Sequence, residues 1–376
     1  MNKVYLRTFG CQMNKRDSEM VKGMLEEKGY LFSEIEDGAD IIIFNTCSVR
    51  EHAEQRAVSI LGFLSRKKRK HGKRIFGLIG CVAQHRKKAL FKSLPNIDFI
   101  CGPSDIYKIP ELISKAINKI PKISAVRPDR NARPLVNVDP YHRDSKIHAY
   151  VNIMYGCDNF CSYCIVPYVR GKEVSRPALD IVAEVSGLVK RGIKNVTLLG
   201  QNVNSYKSGK TDFVSLLELV NTIQGLKKID FVTSHPKDAT VKLFKAIKDL
   251  DKIDKSLHLP LQSGSNRILK LMNRGYTIEK YKQLVDSYKS IVPGGRISTD
   301  IIVGFPTETE DDFDKTKKTI EEIKFDSAYI FKYSPRPPAK SASIKDDIPQ
   351  EEKRKRNIIF LDLQKKISKK KKETVY

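Results

Sequence analysis

The chain has 376 residues, with 69 Lys and Arg against 44 Asp and Glu and a formal net charge of +25. Its seven cysteines, an odd number, argue against a secreted disulfide framework, and no apolar run approaches the ~20 residues of a membrane span. The N-terminus opens in a strand-like run rather than a signal peptide, so we expect a cytoplasmic chain of two domains. The charge favours a polyanionic partner, with a generally lysine-rich surface as the alternative.

Residues 1–120 alternate between strand-like and helical patterns. Short buried strands are predicted at 3–10, 40–46, 74–80 and 97–102, and helices at 17–30, 50–72, 85–94 and 107–117. Such alternation is typical of an α/β domain, and we predict an N-terminal open parallel sheet with flanking helices.

Three cysteines follow the first three predicted strands. Cys11, Cys47 and Cys81 each stand just past a strand end, where an open α/β sheet binds its ligands. Their shared position predicts an iron–sulfur cluster, and three unrelated buried cysteines are the alternative. Cys101 ends the fourth strand-like run, and we interpret it as a core or strand-end cysteine.

A proline-rich segment at 121–145 is interpreted as a linker, and the alternation resumes after it. Strands are predicted at 148–156, 195–203, 228–236, 256–264, 296–304 and 327–335, and helices at 179–191, 214–225, 277–291 and 310–323. Six units predict a partial (β/α)6 barrel over 146–335, open on one side. Residues 336–376 form a basic C-terminal extension, with one helix over 350–374 that frays into lysines.

The first barrel strand leads into a CxxxCxxC motif formed by Cys157, Cys161 and Cys164. Three such thiolates can bind a [4Fe–4S] cluster and leave its fourth iron open, as in the radical enzymes that cleave S-adenosylmethionine (SAM). A structural zinc site is the alternative, but it needs four ligands and is often built from two CxxC pairs, and the chain has no second pair.

Several longer motifs resemble those of the radical-SAM methylthiotransferases. They are TFGCQMN at 8–14, NTCSVRE at 45–51, GCVAQ at 80–84, MYGC at 154–157, VPYVRGKE at 166–173, LGQNV at 199–203, HLPLQSGS at 258–265 and DIIVGFP at 300–306. The runs around Cys11 and Cys47 look like the MiaB-type subgroup, which acts on tRNA. Two other subgroups, acting on threonylcarbamoyladenosine in tRNA or on a ribosomal protein, tend to differ at Gln12 and Met13.

The resemblance implies an activity and its cofactors. A member of this subgroup adds a methylthio group to C2 of N(6)-dimethylallyladenosine next to the anticodon, with two [4Fe–4S] clusters and SAM. The Cys157, Cys161 and Cys164 cluster would generate the radical that takes the C2 hydrogen, and the Cys11, Cys47 and Cys81 cluster would hold or donate the sulfur. No side-chain acid or base is expected, because this C–H bond is too strong for one. The expected partners are tRNA and an electron-donor protein, and we expect a monomer.

Further roles are predicted for single residues. By the resemblance, Tyr163 is expected over the SAM adenine, with a packed core ring as the alternative. Gln201 ends a strand at the barrel mouth and is expected in a pocket. Arg170 and Arg176 are expected near the SAM carboxylate or an RNA phosphate, with a surface role as the alternative. His235 and His258 are interpreted as structural. The family commonly ends in a small RNA-gripping β-barrel called TRAM, for which too few residues follow Pro335. A truncated, inactive iron–sulfur RNA-binding protein is therefore an alternative function.

Overall fold

The computed structural model describes residues 3–49, 51–66, 74–127 and 142–373, which fall into two compact units. The first comprises Met1–Asp158 and Ile165–Arg176, and the second Asn159–Cys164 and Pro177–Tyr376. Residues 66–74 are a basic run in which seven of nine residues are Lys or Arg. Most of this run, most of the expected linker at 121–145 and the end of the expected C-terminal helix lie outside the described residues. Within the described part of the chain, no helix has the length and apolar character that crossing a membrane requires.

The first unit is built on an open sheet of six parallel strands, which confirms the predicted architecture. In chain order they are β1 (Lys3–Phe9), β2 (Leu31–Phe32), β3 (Ile41–Thr46), β4 (Ile75–Gly80), β5 (Phe99–Cys101) and β6 (Ile123–Ala125). Their order across the sheet is β2-β1-β3-β4-β5-β6. Successive side chains of a strand point to opposite faces, and both faces of this sheet are buried under helices.

Two helices of the first unit begin closer to the preceding strands than the sequence predicts. The helices of this unit are Gln12–Glu26, Glu51–Arg66, Cys81–Arg86, Leu90–Ser93, Ile109–Ile117 and Val166–Val169. The starts expected at residues 17 and 85 are wrong. Gly10 and Gly80 have φ of 153° and 90°, conformations that favour glycine, and the chain enters each helix within two residues of them.

The segment expected to be a linker contributes to the first unit. Ile123–Ala125, within the range 121–145, forms β6 and pairs with β5, so a linker interpretation is wrong for these residues. Beyond it, β7 (His148–Asn152) lies against the helix Gln12–Glu26. The short strands β8 (Met154–Tyr155) and β9 (Val174–Ser175) pair antiparallel.

The second unit contains the other five predicted barrel strands as parallel pairs, together with a small hairpin. Its strands are β10 (Asn195–Leu199), β11 (Lys207–Ser208), β12 (Thr211–Asp212), β13 (Lys228–Phe231), β14 (Ser256–His258), β15 (Arg296–Val303) and β16 (Ser327–Lys332). β10 pairs with β13, and β14, β15 and β16 form one parallel sheet. Its helices are Ala178–Lys190, Phe213–Asn221, Val241–Asp249, Asn266–Leu271, Ile278–Ile291, Glu310–Ile323 and Gln350–Glu373. The sequence patterns do not predict Val241–Asp249 and Asn266–Leu271.

The C-terminal helix (Gln350–Glu373) packs on the second unit. It remains helical up to Glu373, so the expectation that it frays into lysines is wrong up to that residue. Phe360 is fully buried, and its ring stacks on Phe313 at a centroid distance of 4.5 Å. The Gln364 side chain donates a hydrogen bond to the Phe325 carbonyl at 2.9 Å. Apolar burial and hydrogen bonding therefore anchor this basic helix.

Candidate functional site

Three cysteines meet at one edge of the parallel sheet in the first unit. β1, β3 and β4 are neighbours, and their register places the last residues of the three strands opposite one another. Cys11, Cys47 and Cys81 follow these strand ends. The thiols of Cys11 and Cys47 are hydrogen-bonded, and Cys81 interacts electrostatically with both. The structure thus brings the three predicted residues together, and their role as cluster ligands stays a prediction.

The three thiols differ in their access to solvent. Cys47 and Cys81 are each 3% exposed, whereas Cys11 is open to solvent. The hydrogen bond with Cys47 lowers the pKa of Cys11 to about 6 against the opposing effect of burial, and the positive charge of Arg170 adds to the decrease. Burial raises the pKa of Cys81. Because thiolates are the form that binds metals, a readily ionised thiol beside two sheltered ones suits an iron site.

Two glycines allow the strand ends to come this close. A Cβ atom on Gly10 would lie 2.7 Å from Cβ of Cys47, and one on Gly80 would lie 2.6 Å from the Thr46 carbonyl oxygen. Real Cβ atoms essentially never show contacts under 3.0 Å. The glycines therefore leave room for the thiols to converge.

A buried amide pair holds the same edge together. Asn14 donates to the Asn45 side-chain oxygen at 2.9 Å, and Asn45 donates to the Asn14 carbonyl at 2.8 Å and to the Ser18 hydroxyl at 2.9 Å. The Cys11 thiol donates to the Asn14 side-chain oxygen at 3.3 Å. The helix that follows Cys11 is thereby fixed to the neighbouring strand β3.

Arg170, which is expected near the SAM carboxylate or an RNA phosphate, makes its contacts at this edge of the first unit. Its guanidinium donates to Asp17 at 2.7 Å, with both side chains buried, and hydrogen-bonds to the Cys81 thiol. A buried cation is most stable beside an anion, and Asp17 supplies one. The structure thus gives Arg170 partners within the first unit.

The second cysteine motif is divided between the two units, and each part has its own supports. In the first unit, the Cys157 amide donates to the Gly171 carbonyl at 3.2 Å. In the second unit, Cys161 and Cys164 are joined by a backbone hydrogen bond of 2.9 Å, and Ser162 donates to the carbonyls of Leu271 and Met272. The turn that carries Cys161 and Cys164 is therefore attached to the end of the helix Asn266–Leu271.

A buried arginine contacts the sulfur of Cys161. Nη1 of Arg274 lies 3.2 Å from Sγ of Cys161 and 3.3 Å from the Tyr163 hydroxyl, and Nη2 donates to the Pro260 carbonyl at 3.1 Å. Its Nε donates to the Tyr276 hydroxyl at 3.0 Å. Arg274 is 4% exposed. Sequence reasoning missed this residue, whose only signal is its place three residues after the end of the helix Asn266–Leu271.

His235 approaches the same sulfur from another strand end. Its Nδ1 accepts a hydrogen bond from the Lys237 amide, so Nε2 carries the proton, and Nε2 lies 3.9 Å from Sγ of Cys161. Burial, aided by the charge of Arg274, lowers the pKa of His235 to about 2. The ring is therefore neutral, and this histidine, expected to be structural, faces a predicted ligand.

Unsatisfied polar atoms mark the ends of β10 and β13. Within the described residues, the side-chain oxygens Oε1 of Gln201, Oδ1 of Asn202 and Oγ of Ser234 are buried without a hydrogen-bond partner. The loops that carry them are joined by a 2.9 Å bond from the Val203 amide to the Thr233 carbonyl. Buried polar atoms normally have partners, so this edge fits a polar ligand, and SAM is one.

The remaining candidates have partners within the protein. Arg176 is buried and donates to the Asn152 carbonyl at 2.6 Å. His258 contacts Ser298 and Asp300. Tyr163 packs partly buried against the cluster that contains Met272. Cys101 is fully buried at the end of β5, which confirms its interpretation as a core cysteine.

The donor sets fit iron–sulfur clusters by their chemistry. Across the ranges that the structure describes, no three Cys, His, Asp or Glu side chains are spaced as a complete metal site. In the first triplet, the thiols of Cys11 and Cys47 are nevertheless hydrogen-bonded, Cys81 interacts electrostatically with both, and two glycines clear the space beside them. The second has a buried cation and a neutral N–H facing one of its sulfurs, and hydrogen bonds to sulfur are typical of such clusters.

Comparisons with protein families and solved structures identify proteins that are similar to this chain in sequence and fold. A model described as uncharacterized protein family UPF0004 matches residues 3–102, and the radical SAM superfamily model matches residues 151–320. The solved structure of the radical SAM methyltransferase TsrM from Kitasatospora setae, with cobalamin and a [4Fe–4S] cluster bound, aligns with a TM-score of 0.66 at 14% identity. The alignment covers 91% of this chain and 77% of that one. The fold of the chain is thus that of radical SAM enzymes.

Relatives in two bacteria are similar over nearly the whole chain. The tRNA-2-methylthio-N(6)-dimethylallyladenosine synthase of Thermodesulfovibrio yellowstonii is 46% identical over 98% of this chain and 84% of its own length. That of Caldicellulosiruptor saccharolyticus is 48% identical over 94% of this chain and 76% of its own length. The chain is therefore a member of the radical SAM methylthiotransferase family, in the group of the tRNA-2-methylthio-N(6)-dimethylallyladenosine synthases.

Proposed function

We propose that the chain adds a methylthio group to C2 of N(6)-dimethylallyladenosine in tRNA, next to the anticodon. The observation that carries the proposal is the 46% identity to a synthase of this name over 98% of the chain. The two cysteine triplets, in which the family's cofactors would be held, support it. The group uses two [4Fe–4S] clusters and SAM.

We assign Cys11, Cys47 and Cys81 to the auxiliary cluster, and Cys157, Cys161 and Cys164 to the radical SAM cluster. Bound there, the clusters and SAM supply the one-electron chemistry and the sulfur that no side chain provides. The protein residues position and shelter these groups. Gly10 and Gly80 leave space at the auxiliary site. Gln201, with its unsatisfied oxygen, is a candidate contact for SAM.

The organisation of the chain follows from these assignments. We propose an auxiliary-cluster domain over residues 1–120, a radical SAM partial barrel over 146–335 and a basic extension over 336–376. The matches to residues 3–102 and 151–320 support the first two. The boundary at 120 is modified by β6, which extends the sheet to Ala125.

The partners follow from the reaction. The net charge of +25 favours a polyanion, and the exposed lysines of the C-terminal helix, such as Lys365 and Lys366, would contact phosphates without reading sequence. The reaction also needs an electron-donor protein. We further propose a monomer in the cytoplasm, where tRNA and a reducing environment are both available.

Mass spectrometry of tRNA nucleosides tests the proposal. The chain is expressed in a bacterial strain that makes N(6)-dimethylallyladenosine but lacks its own methylthiotransferase. The 2-methylthio derivative should appear with the wild-type chain and with Cys101→Ala, and be absent with Cys161→Ala. Methylthiolation of threonylcarbamoyladenosine or of a ribosomal protein instead, or no modified product at all, would contradict the assigned substrate.

A further inference from the structure

Arg274 is a buried cation with no carboxylate partner. Among the residues that the structure describes, its polar contacts are Sγ of Cys161, the hydroxyls of Tyr163 and Tyr276, and the Pro260 carbonyl. Removing a guanidinium from water costs several kcal/mol unless an anion compensates it. The environment of Arg274 therefore requires a negative charge that no Asp or Glu in the described part of the chain supplies.

Only one of the four contacts readily becomes an anion. A carbonyl carries no charge, and a tyrosine hydroxyl is ordinarily neutral near pH 7. Cys161 becomes a thiolate when it binds metal. The His235 ring places an N–H 3.9 Å from the same sulfur. The charge balance of this pocket is thus complete only with a Cys161 thiolate.

We propose that Arg274 is a positioning residue for the radical SAM cluster, acting as counter-ion and hydrogen-bond donor to the Cys161 thiolate and thereby raising the reduction potential of the cluster. The proposal rests on the assignment of Cys161 as a cluster ligand. A positive charge and an N–H···S bond both stabilise the reduced state, which carries one more electron. Arg274 would therefore make it easier to place that electron on the cluster.

The first unit offers an internal comparison. Arg170 also hydrogen-bonds to a predicted ligand, Cys81, but its charge is balanced by Asp17 at 2.7 Å. An arginine with a carboxylate partner changes the local charge less than one without. Replacing Arg170 should therefore shift the auxiliary cluster less than replacing Arg274 shifts the radical SAM cluster.

Redox titration measures the effect directly. The full chain carrying Cys11→Ala, Cys47→Ala and Cys81→Ala is reconstituted without oxygen, so that about four iron atoms report one cluster. Titration is followed by electron paramagnetic resonance. Arg274→Gln should lower the midpoint potential by about 59 mV or more, a tenfold change in the reduction equilibrium. Arg274→Lys, which keeps the charge, should stay closer to wild type, and the exposed Arg296→Gln should leave the potential unchanged.

A stability measurement separates this role from a purely structural one. Without iron, Arg274→Met should unfold at the same temperature as the wild-type chain or higher, because an uncompensated charge has been removed. With iron bound, the wild-type chain should gain more stability than the variant. The proposal would be overturned if Arg274→Met lost the same amount of stability with and without iron. It would also be overturned if Arg274→Gln, with its full iron content, kept the wild-type midpoint potential. If Cys161→Ala kept its full iron content, the ligand assignment itself would be wrong instead.

Discussion

A single Cβ atom is enough to disturb the auxiliary site. Gly80 combines a φ of 90° with contacts that leave no room for a side chain beside Asn45 and Thr46. We expect Gly80→Ala to cost about 3 kcal/mol, from backbone strain of about 1–2 kcal/mol and overpacking of similar size. It should also displace the adjacent Cys81. Urea unfolding of the iron-free chain measures the first effect, and iron content after reconstitution the second.

Gly38→Ala is the matched control for this change. Gly38 has a φ of 82°, but nothing lies within 4 Å of the point that a Cβ atom would occupy there. Only the backbone strain of about 1–2 kcal/mol should therefore appear, with full iron binding. If the two variants were equally destabilised, crowding at Gly80 would have no part in shaping the site.

The convergence of Cys11, Cys47 and Cys81 could be predicted from the sequence because its signal is local. Each follows a recognisable strand, and parallel strands bring their ends to one edge. Arg274 and Arg170 could not be, because their partners are distant in sequence: Cys161 is 113 residues from Arg274, and Asp17 is 153 residues from Arg170. Their assignments depend on tertiary contacts, which charge patterns along one sequence do not show.

At the level of elements, most strands of the first unit are predicted well and the helix starts less well. The sequence patterns identify β1, β3, β4 and β5. They miss β2, which has two residues, and β6, which lies in the proline-rich segment at 121–145. The start of the helix Gln12–Glu26 depends on φ at Gly10, which sequence periodicity does not report.

Two substitutions in the C-terminal helix test whether its packing stabilises the second unit. Phe360 is fully buried against Phe313, whereas Leu361 beside it is 46% exposed. Phe360→Ala should lower the free energy of unfolding by about 3–5 kcal/mol. Leu361→Ala should cost less than about 1 kcal/mol, because it opens no cavity. Chemical denaturation of both variants compares them, and similar costs would mean that the helix is not anchored by this ring.

A group of ion pairs joins the segment that begins at His142 to the helix Gln12–Glu26. His142 contacts Glu26 at 2.9 Å and Asp144 at 3.2 Å, and Lys22 pairs with Asp144 at 2.6 Å. The hydrogen bond to Asp144 raises the pKa of His142 above 6.5, with Glu26 contributing and Lys22 opposing. The protonated histidine is thus favoured in the folded chain.

This shift predicts a pH-dependent stability. A raised histidine pKa contributes stability that is complete below pH 6.5 and is lost as the pH rises through the folded-state value. The difference in unfolding free energy between the wild-type chain and His142→Gln should therefore shrink as the pH rises above 6.5. Asp144→Asn removes the main partner and should weaken the pH dependence. If the difference in unfolding free energy stayed constant as the pH rose, the ion pairs of His142 would not contribute to stability in this way.

The whole molecule has two cysteine triplets, and we expect one to be required for SAM cleavage and the other for methylthiolation. Cys157→Ala, Cys161→Ala or Cys164→Ala should abolish SAM cleavage, because each would remove one of the three proposed ligands to the radical SAM cluster. Cys11→Ala, Cys47→Ala or Cys81→Ala should leave cleavage measurable and stop methylthiolation. The reason is that, in the proposed assignment, only the radical SAM cluster would supply an electron to SAM.

Two assays on the same reconstituted chain separate these outcomes. Chromatography of 5′-deoxyadenosine reports SAM cleavage, and nucleoside mass spectrometry reports the modified adenosine. Iron content should fall from about eight to about four atoms per chain in either set of variants. Cys101→Ala is the control, because this fully buried residue lies outside both triplets and should cost only about 1–2 kcal/mol of stability. Full methylthiolation by Cys81→Ala, or its loss in Cys101→Ala, would show that the auxiliary ligands have been misassigned.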